Sequence, residues 1–229
     1  NVSMRNLVSS LGVVAADVAG VGTARRDVAA VGYGDDLAMF AYGNTGSKTN
    51  LKNLVTNQGV VGANVTGVGT ARGDLAASRY GVGLGIFGYG NTGSKVSITN
   101  LVTNVGVIGT DVSGVGTARQ SLAACTFGGD KAIFGFGKDG SNETSITNLV
   151  SNVGVVAADT TGVGTAREKL GACSFGGDKG IFAFGVDNGG AGRVSTSNLV
   201  SNSGVVASNT TGVGSATNRL GAAGFSFSA

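Results

Sequence analysis

The chain has no histidine, no proline and no tryptophan among its 229 residues, and only two cysteines. Each absence closes a class of chemistry. Without histidine, Ser-His-Asp and Cys-His nucleophile arrangements cannot be assembled. Zinc loses its commonest ligand, and two thiols cannot make a four-thiolate site. Without proline or a Gly-X-Y period, the 43 glycines do not describe a collagen. No apolar run approaches the ~20 residues of a membrane-spanning helix, so no membrane insertion is expected. Charged residues make up 13% of the chain, with a formal net charge of +3. They are scattered, with no basic stripe and interleaved aromatics, which argues against nucleic acid as a partner.

What is present is periodic. Hydrophobic residues reach 41%, and Val, Ile, Leu and Phe recur at fixed spacing, which is enough apolar surface to fold a glycine-rich chain. Asn-Leu-Val triplets begin at Asn6, Asn53, Asn100, Asn148 and Asn198, so five units of about 48 residues fill a single domain, 1–229. Each triplet leads into Gly-Val-Val or Gly-Val-Ile, then an acid or amide at Asp17, Asn64, Asp111, Asp159 and Asn209. Gly-Val-Gly-Thr-Ala-Arg follows, ending at Arg25, Arg72, Arg119 and Arg167; the fifth unit ends instead at Thr217. A small-residue segment comes next, then a glycine-rich turn, then Ile-Phe-x-Phe.

A period of this length suits propellers or helical-pair solenoids. Glycine decides between them, because each one inside a helix costs about 1 kcal/mol relative to alanine. The apolar runs are short, β-branched or aromatic, and bounded by Gly, Asn, Asp and Ser, as strands are. Turns such as Gly128-Gly129-Asp130-Lys131 supply the positive φ of tight hairpins. The expected fold is therefore all-β: a five-bladed β-propeller with about four antiparallel strands per unit, closed by pairing of the N- and C-terminal strands. The Ala/Gly-rich strand is expected innermost, with the Phe-rich strand filling the space between blades. The fifth unit has no Ile-Phe-x-Phe strand. A short last blade, a substitute role for residues 224–229, a longer array and completion by another chain all remain open.

The order Arg119, small strand 122–127, turn 128–131, aromatic strand 133–137 and Asn-containing strand 145–150 resembles the kelch family, and the resemblance runs through all the units. It departs from the kelch pattern in having one glycine where the family has a pair, and in lacking the family's tryptophan. Units with Gly-Asp-Lys-Ala-Ile-Phe-Gly are also similar to those of uncharacterised proteins of marine phages. The resemblance implies a propeller in which the arginines tie blades together.

Two readings of Arg25, Arg72, Arg119 and Arg167 stand side by side: a ring at one channel mouth, suited to anions or sugar acids, or ties between blades. Asp and Asn interchange at the position of Asp17, which suits capping of turn amides, and the triplet Asn suits bonding of backbone groups. Tyr33 and Tyr80, with Tyr42 and Tyr89, are the only substitutes for tryptophan in sugar stacking. Loops 138–144 and 186–194 are longer than loop 44–48, so Lys138 and Arg193 are candidates for a unique recognition surface. Cys125 and Cys173 occupy equivalent positions and are expected as reduced core residues. No catalytic residue, metal or cofactor is expected. The expected role is a non-enzymatic binding or adhesion module for a cell-surface glycan or partner protein, extracellular or on a virion, with an oligomer possible. The alternative is a structural scaffold, and a propeller hydrolase is a distant third.

Overall fold

The computed structural model describes residues 2–9, 11–187 and 192–224. It is all-β, with no helix among the described residues. Four three-stranded antiparallel sheets follow one another along the chain. The first is β1 (Ala29–Tyr33), β2 (Leu37–Ala41) and β3 (Lys52–Val55); the second is β4 (Ala76–Tyr80), β5 (Leu84–Gly88) and β6 (Thr99–Val102). The third holds β7 (Ala123–Phe127), β8 (Lys131–Gly135) and, after a small hairpin of β9 (Lys138–Asp139) and β10 (Asn142–Glu143), β11 (Thr147–Val150). The fourth holds β12 (Gly171–Phe175) and β13 (Lys179–Ala183), then the hairpin β14 (Val186–Asp187) and β15 (Gly192–Arg193), then β16 (Ser197–Val200). The first two strands of each sheet are joined by the expected glycine turns, as at Gly128 and Gly129, with φ of 60° and 81°.

The expected fourth strand is reduced to two bridges per unit. Val150 pairs with Val156, and Thr147 with Thr160, so the register slips by one residue between them. That slip is a bulge, which breaks a continuous ladder. It recurs at the same place in the other units, as in Val55 with Val61 and Lys52 with Val65. The Ile-Phe-x-Phe strand is also shorter than expected. β8 stops at Gly135 because Phe136 turns out of the extended region, with φ of 62°.

Each sheet packs on the next in chain order, and the packing is carried by the small-residue strands: β1 on β4, β4 on β7, β7 on β12. The middle strands β5, β8 and β13 lie against the preceding small-residue strand, while the outer strands of neighbouring sheets are not packed in this way. The sheets therefore splay from a spine of small residues, with Ala29, Ala76 and Ala123 buried in it. Aromatic side chains fill the wedge. Phe87, Phe134 and Phe182 are fully buried, and each ring meets an aromatic of the preceding sheet: Tyr42–Phe87 at 5.3 Å, Tyr89–Phe134 at 5.2 Å, Phe136–Phe182 at 5.2 Å. Edge-on and tilted pairs at such distances add about 0.5–1.5 kcal/mol beyond burial. Gly135 is required by this packing, since a Cβ there would lie 2.7 Å from the Phe182 ring.

No packing of comparable extent joins β1 to β12, and a Cβ on Gly221 would meet nothing within 4 Å. The chain continues past β12, with Leu220 and Ala222 lying against Gly171 and Gly224 against Ser174 O. Its accessible surface, 10676 Å², exceeds the about 9,400 Å² typical of a compact chain of this mass.

Candidate functional site

Three backbone bonds stitch each sheet to the next, and one set forms a column. The amide of Asp74 donates to the carbonyl of Asp27, Ser121 to Asp74, Lys169 to Ser121, and Arg219 to Lys169, at 2.8–3.2 Å. All five residues sit in the left-handed region, with φ between 54° and 56°. No glycine occupies these positions, so each carries a strain of order 1 kcal/mol that the rung bonds offset. With the residue that follows each of them, they line one cavity of about 270 Å³: Asp27, Asp74, Ser121, Lys169 and Arg219, backed by Val28 and the leucines 75, 122, 170 and 220.

The backbone here repeats, and the chemistry does not. Two carboxylates stand at one end, a hydroxyl in the middle and two cations at the other end. Asp27 and Asp74 are each partly paired, with Arg26 at 3.3 Å and Lys48 at 3.4 Å, and Lys169 is bonded to Glu168. About a quarter of the side chains of Asp27, Asp74 and Lys169 reaches solvent, and Arg219 is exposed. The arrangement can hold a molecule bearing both an ammonium and an acid group.

The arginines singled out from sequence occupy a different place. Arg72, Arg119 and Arg167 are fully buried between sheets. Arg119 shows the pattern: Nε donates to Phe136 O at 3.0 Å, Nη1 to Thr117 O at 3.2 Å and Nη2 to Asn148 Oδ1 at 2.6 Å. Its guanidinium lies 4.2 Å from the Tyr89 ring centroid, and Asp159 is 3.9 Å away. Asp159 accepts from the amide and hydroxyl of Thr117 and from Asn148 Nδ2. Arg72 repeats this with Tyr89 O, Thr70, Asn100, Asp111 and the Tyr42 ring. Burial would raise the carboxyls of Asp111 and Asp159, but hydrogen bonds from the threonine and asparagine, with the arginine charge, carry both below the usual value. Burial lowers the arginines, and Arg167, whose unit carries Asn209 at the position of Asp111 and Asp159, is pushed down to about 10.

Tying sheets together is thus the role of these arginines that the geometry carries. Arg25 is half-buried, bonds Leu51 O and Asn53, and lies over none of the rings that Arg72, Arg119 and Arg167 cover. Tyr33 and Tyr80 are 3% exposed and offer no stacking platform. Lys138 starts β9 and pairs with Glu143 at 3.4 Å; Arg193 is exposed in β15. Residues 188–191 of that loop, and 225–229 of the fifth unit, lie outside the described residues. Cys125 is buried as expected and its thiol is pushed up to about 12, but Cys173 is half-buried. The cavity residues escaped the sequence reading because they fall between two repeated features, the arginine and the leucine. Their signal was a sorted change of charge at one aligned position.

No protein-family model matches the chain, and no curated protein sequence matches it. The functional reading therefore rests on geometry alone.

Proposed function

We propose that the chain is a non-enzymatic binding module whose ligand lies along the column of turn residues, with its ammonium group toward Asp27 and Asp74 and its acid group toward Lys169 and Arg219. A surface glycan carrying both amino and acidic sugars has this chemistry. The observation that carries the reading is one invariant backbone position bearing Asp, Asp, Ser, Lys and Arg around a single cavity. Sites gain selectivity where a fixed scaffold carries varied side chains. The splayed sheets and shared cavity also support a propeller-like curvature, of which the four described sheets would be an arc. Pairing of the terminal strands into a closed five-bladed ring is a further step of this proposal.

The test is a glycan array probed with labelled protein, with Asp74→Asn and Lys169→Gln as controls. Binding to glycans with both charges, lost in either variant, supports the site. Binding retained in both variants refutes the placement. A blank array favours a structural scaffold. That second reading draws on the buried arginine networks, whose donors are spent on holding sheets together. Neutralising Lys138 and Arg193 tests whether the longer loops share in recognition.

A further inference from the structure

The first Asn-Leu-Val triplet belongs to a unit built on one side only. Its outer half is in place: Arg5 pairs with Val18 and Val8 with Val14, and Asn6 Nδ2 donates to Ala15 O and Asp17 as its counterparts do in their own units. In the four later units the other edge of the triplet is taken by a middle strand. Asn53 stands opposite Phe40, Asn100 opposite Phe87, Asn148 opposite Phe134 and Asn198 opposite Phe182. Among the described residues no strand pairs with that edge at Asn6 and Val8. Val8 is 64% exposed, where Val102, Val150 and Val200 are exposed by 1% or less. An unpaired row of amides and carbonyls is a template for another strand.

Beside this edge lies a cavity of about 160 Å³, whose lining includes Met4, Arg5, Val21, Arg25, Val28 and Phe40. The later units show what such a space accepts. The Tyr42 amide donates to Leu51 O at 2.9 Å and its hydroxyl to Val68 O at 3.1 Å. Its ring meets Phe87 at 5.3 Å and lies 4.3 Å from the Arg72 guanidinium. Tyr89 repeats this with Ile98, Val115, Phe134 and Arg119. One unit earlier, the positions of Leu51, Val68, Phe87 and Arg72 hold Met4, Val21, Phe40 and Arg25, and all four line the one cavity. The walls of an aromatic slot are therefore assembled, and an apolar space of roughly 150 Å³ is enough to admit a benzene ring. Arg25 also takes a different pose: its Nη1 donates to Leu51 O, where Arg72 and Arg119 use Nη1 on Thr70 O and Thr117 O. Arg5 Nε and Nη1 are buried with no acceptor among the described residues, a cost that an incoming carbonyl would remove.

We propose that an extended segment of a separate polypeptide adds antiparallel to the Asn6–Val8 edge and seats an aromatic ring in this slot, beneath Arg25 and against Phe40. Its pattern is that of the molecule's own middle strands: an aliphatic residue, Phe, a small residue, Phe or Tyr, then Gly, as in Ile86–Gly90 and Ile133–Gly137. Backbone bonds to Asn6 and Val8 supply affinity and the ring supplies selectivity, as in strand addition generally. A folded second copy is not the donor, because Phe87, Phe134 and Phe182 are already buried in its own sheets. Among the lining residues, the slot shares only Val28 with the cavity of Asp27 to Arg219, so capture of a strand and capture of a glycan can fail separately.

The probe is a fluorescein-labelled peptide of residues 130–139, Asp-Lys-Ala-Ile-Phe-Gly-Phe-Gly-Lys-Asp, titrated with the full chain by anisotropy. Hydrogen exchange is read at residues 5–8 in the same complex. Binding is expected, with slowed exchange of the Asn6 and Val8 amides. Phe136→Ser in the peptide is expected to weaken binding at least about tenfold, as loss of a buried ring does. Arg25→Ala in the protein, its fold checked by circular dichroism, is expected to weaken it about threefold or more through the lost cation over the ring. No binding at about millimolar peptide overturns the proposal. So does binding that leaves exchange at residues 5–8 unchanged, or that ignores loss of the peptide's ring. Slowed exchange at residues 5–8 that appears in the protein alone, as its concentration rises, assigns the edge to a second copy and overturns it as well.

Discussion

Replacing Arg119 with methionine separates the buried ties from the open one. Methionine keeps the aliphatic stem but removes three donors, and leaves Phe136 O, Thr117 O and Asn148 Oδ1 without them. It also strips the cation from the Tyr89 ring and from Asp159. Removing one partner of a buried, hydrogen-bonded charge network typically costs about 3–5 kcal/mol. The same change at Arg25 removes bonds to Leu51 O and Asn53 only, from a half-buried side chain over no ring. Hydrogen bonds of that kind contribute about 0.5–1.5 kcal/mol each, so Arg25→Met should cost about 1–2 kcal/mol. The chain lacks tryptophan, so urea unfolding is best followed by far-ultraviolet circular dichroism. Domains of this size have about 5–15 kcal/mol in hand, so Arg119→Met should lower the midpoint severely and Arg25→Met mildly. Equal costs at the two sites, or under about 1 kcal/mol at Arg119, would refute the reasoning that the stacked arginines hold the sheets together.

Three further outcomes are expected. The carboxyls of Asp111 and Asp159 titrate below their ordinary value of 3.8 when folded, so their contribution is complete above that value and disappears as pH falls through the lower folded one. Melting temperature should therefore drop on the acid side, and Asp111→Asn should flatten part of that drop; an unchanged acid limb would count against it. Gly135→Ala should destabilise by about 1–3 kcal/mol through the Phe182 ring, since overpacked cores cannot absorb a methyl without shifting. Gly46→Ala, where φ is 130° and nothing lies within 4 Å, tests backbone strain without a clash. Finally, a thiol reagent at mildly alkaline pH should label half-buried Cys173 in the native protein and reach buried Cys125 only after denaturation. Equal rates at the two cysteines would contradict the burial.

Much of the fold was legible in the residues. Four of the five Asn-Leu-Val triplets, the glycine turns and the β-branched runs give antiparallel strands at the expected places, and the small-residue strands carry the packing of sheet on sheet. The fourth strand was not legible, because Gly-Val-Val reads as an ordinary extended segment and a one-residue bulge leaves no compositional mark. Nor was the early end of the aromatic strand, since Tyr42, Tyr89, Phe136 and Phe184 take a positive φ that such side chains normally avoid. A long-range backbone bond accompanies it in all four, the amide donating to the carbonyl of Leu51, Ile98, Ile146 or Thr196 across the turn to the third strand. For the arginines, sequence offered a ligand ring but favoured a structural tie, since Thr217 breaks the ring, and burial carries the tie. The column of Asp27 to Arg219 depends on rung bonds between residues about 47 apart in sequence, which no local pattern announces.

Those rungs have a consequence for variation. Each is made by an amide and a carbonyl, so it does not depend on which side chain the residue carries, provided the residue tolerates the left-handed region. Five addresses are thereby held in a fixed frame while their contents are free to differ, as Asp, Ser, Lys and Arg already do. A population of such chains could exchange one surface chemistry for another without touching the packing that keeps the sheets in place.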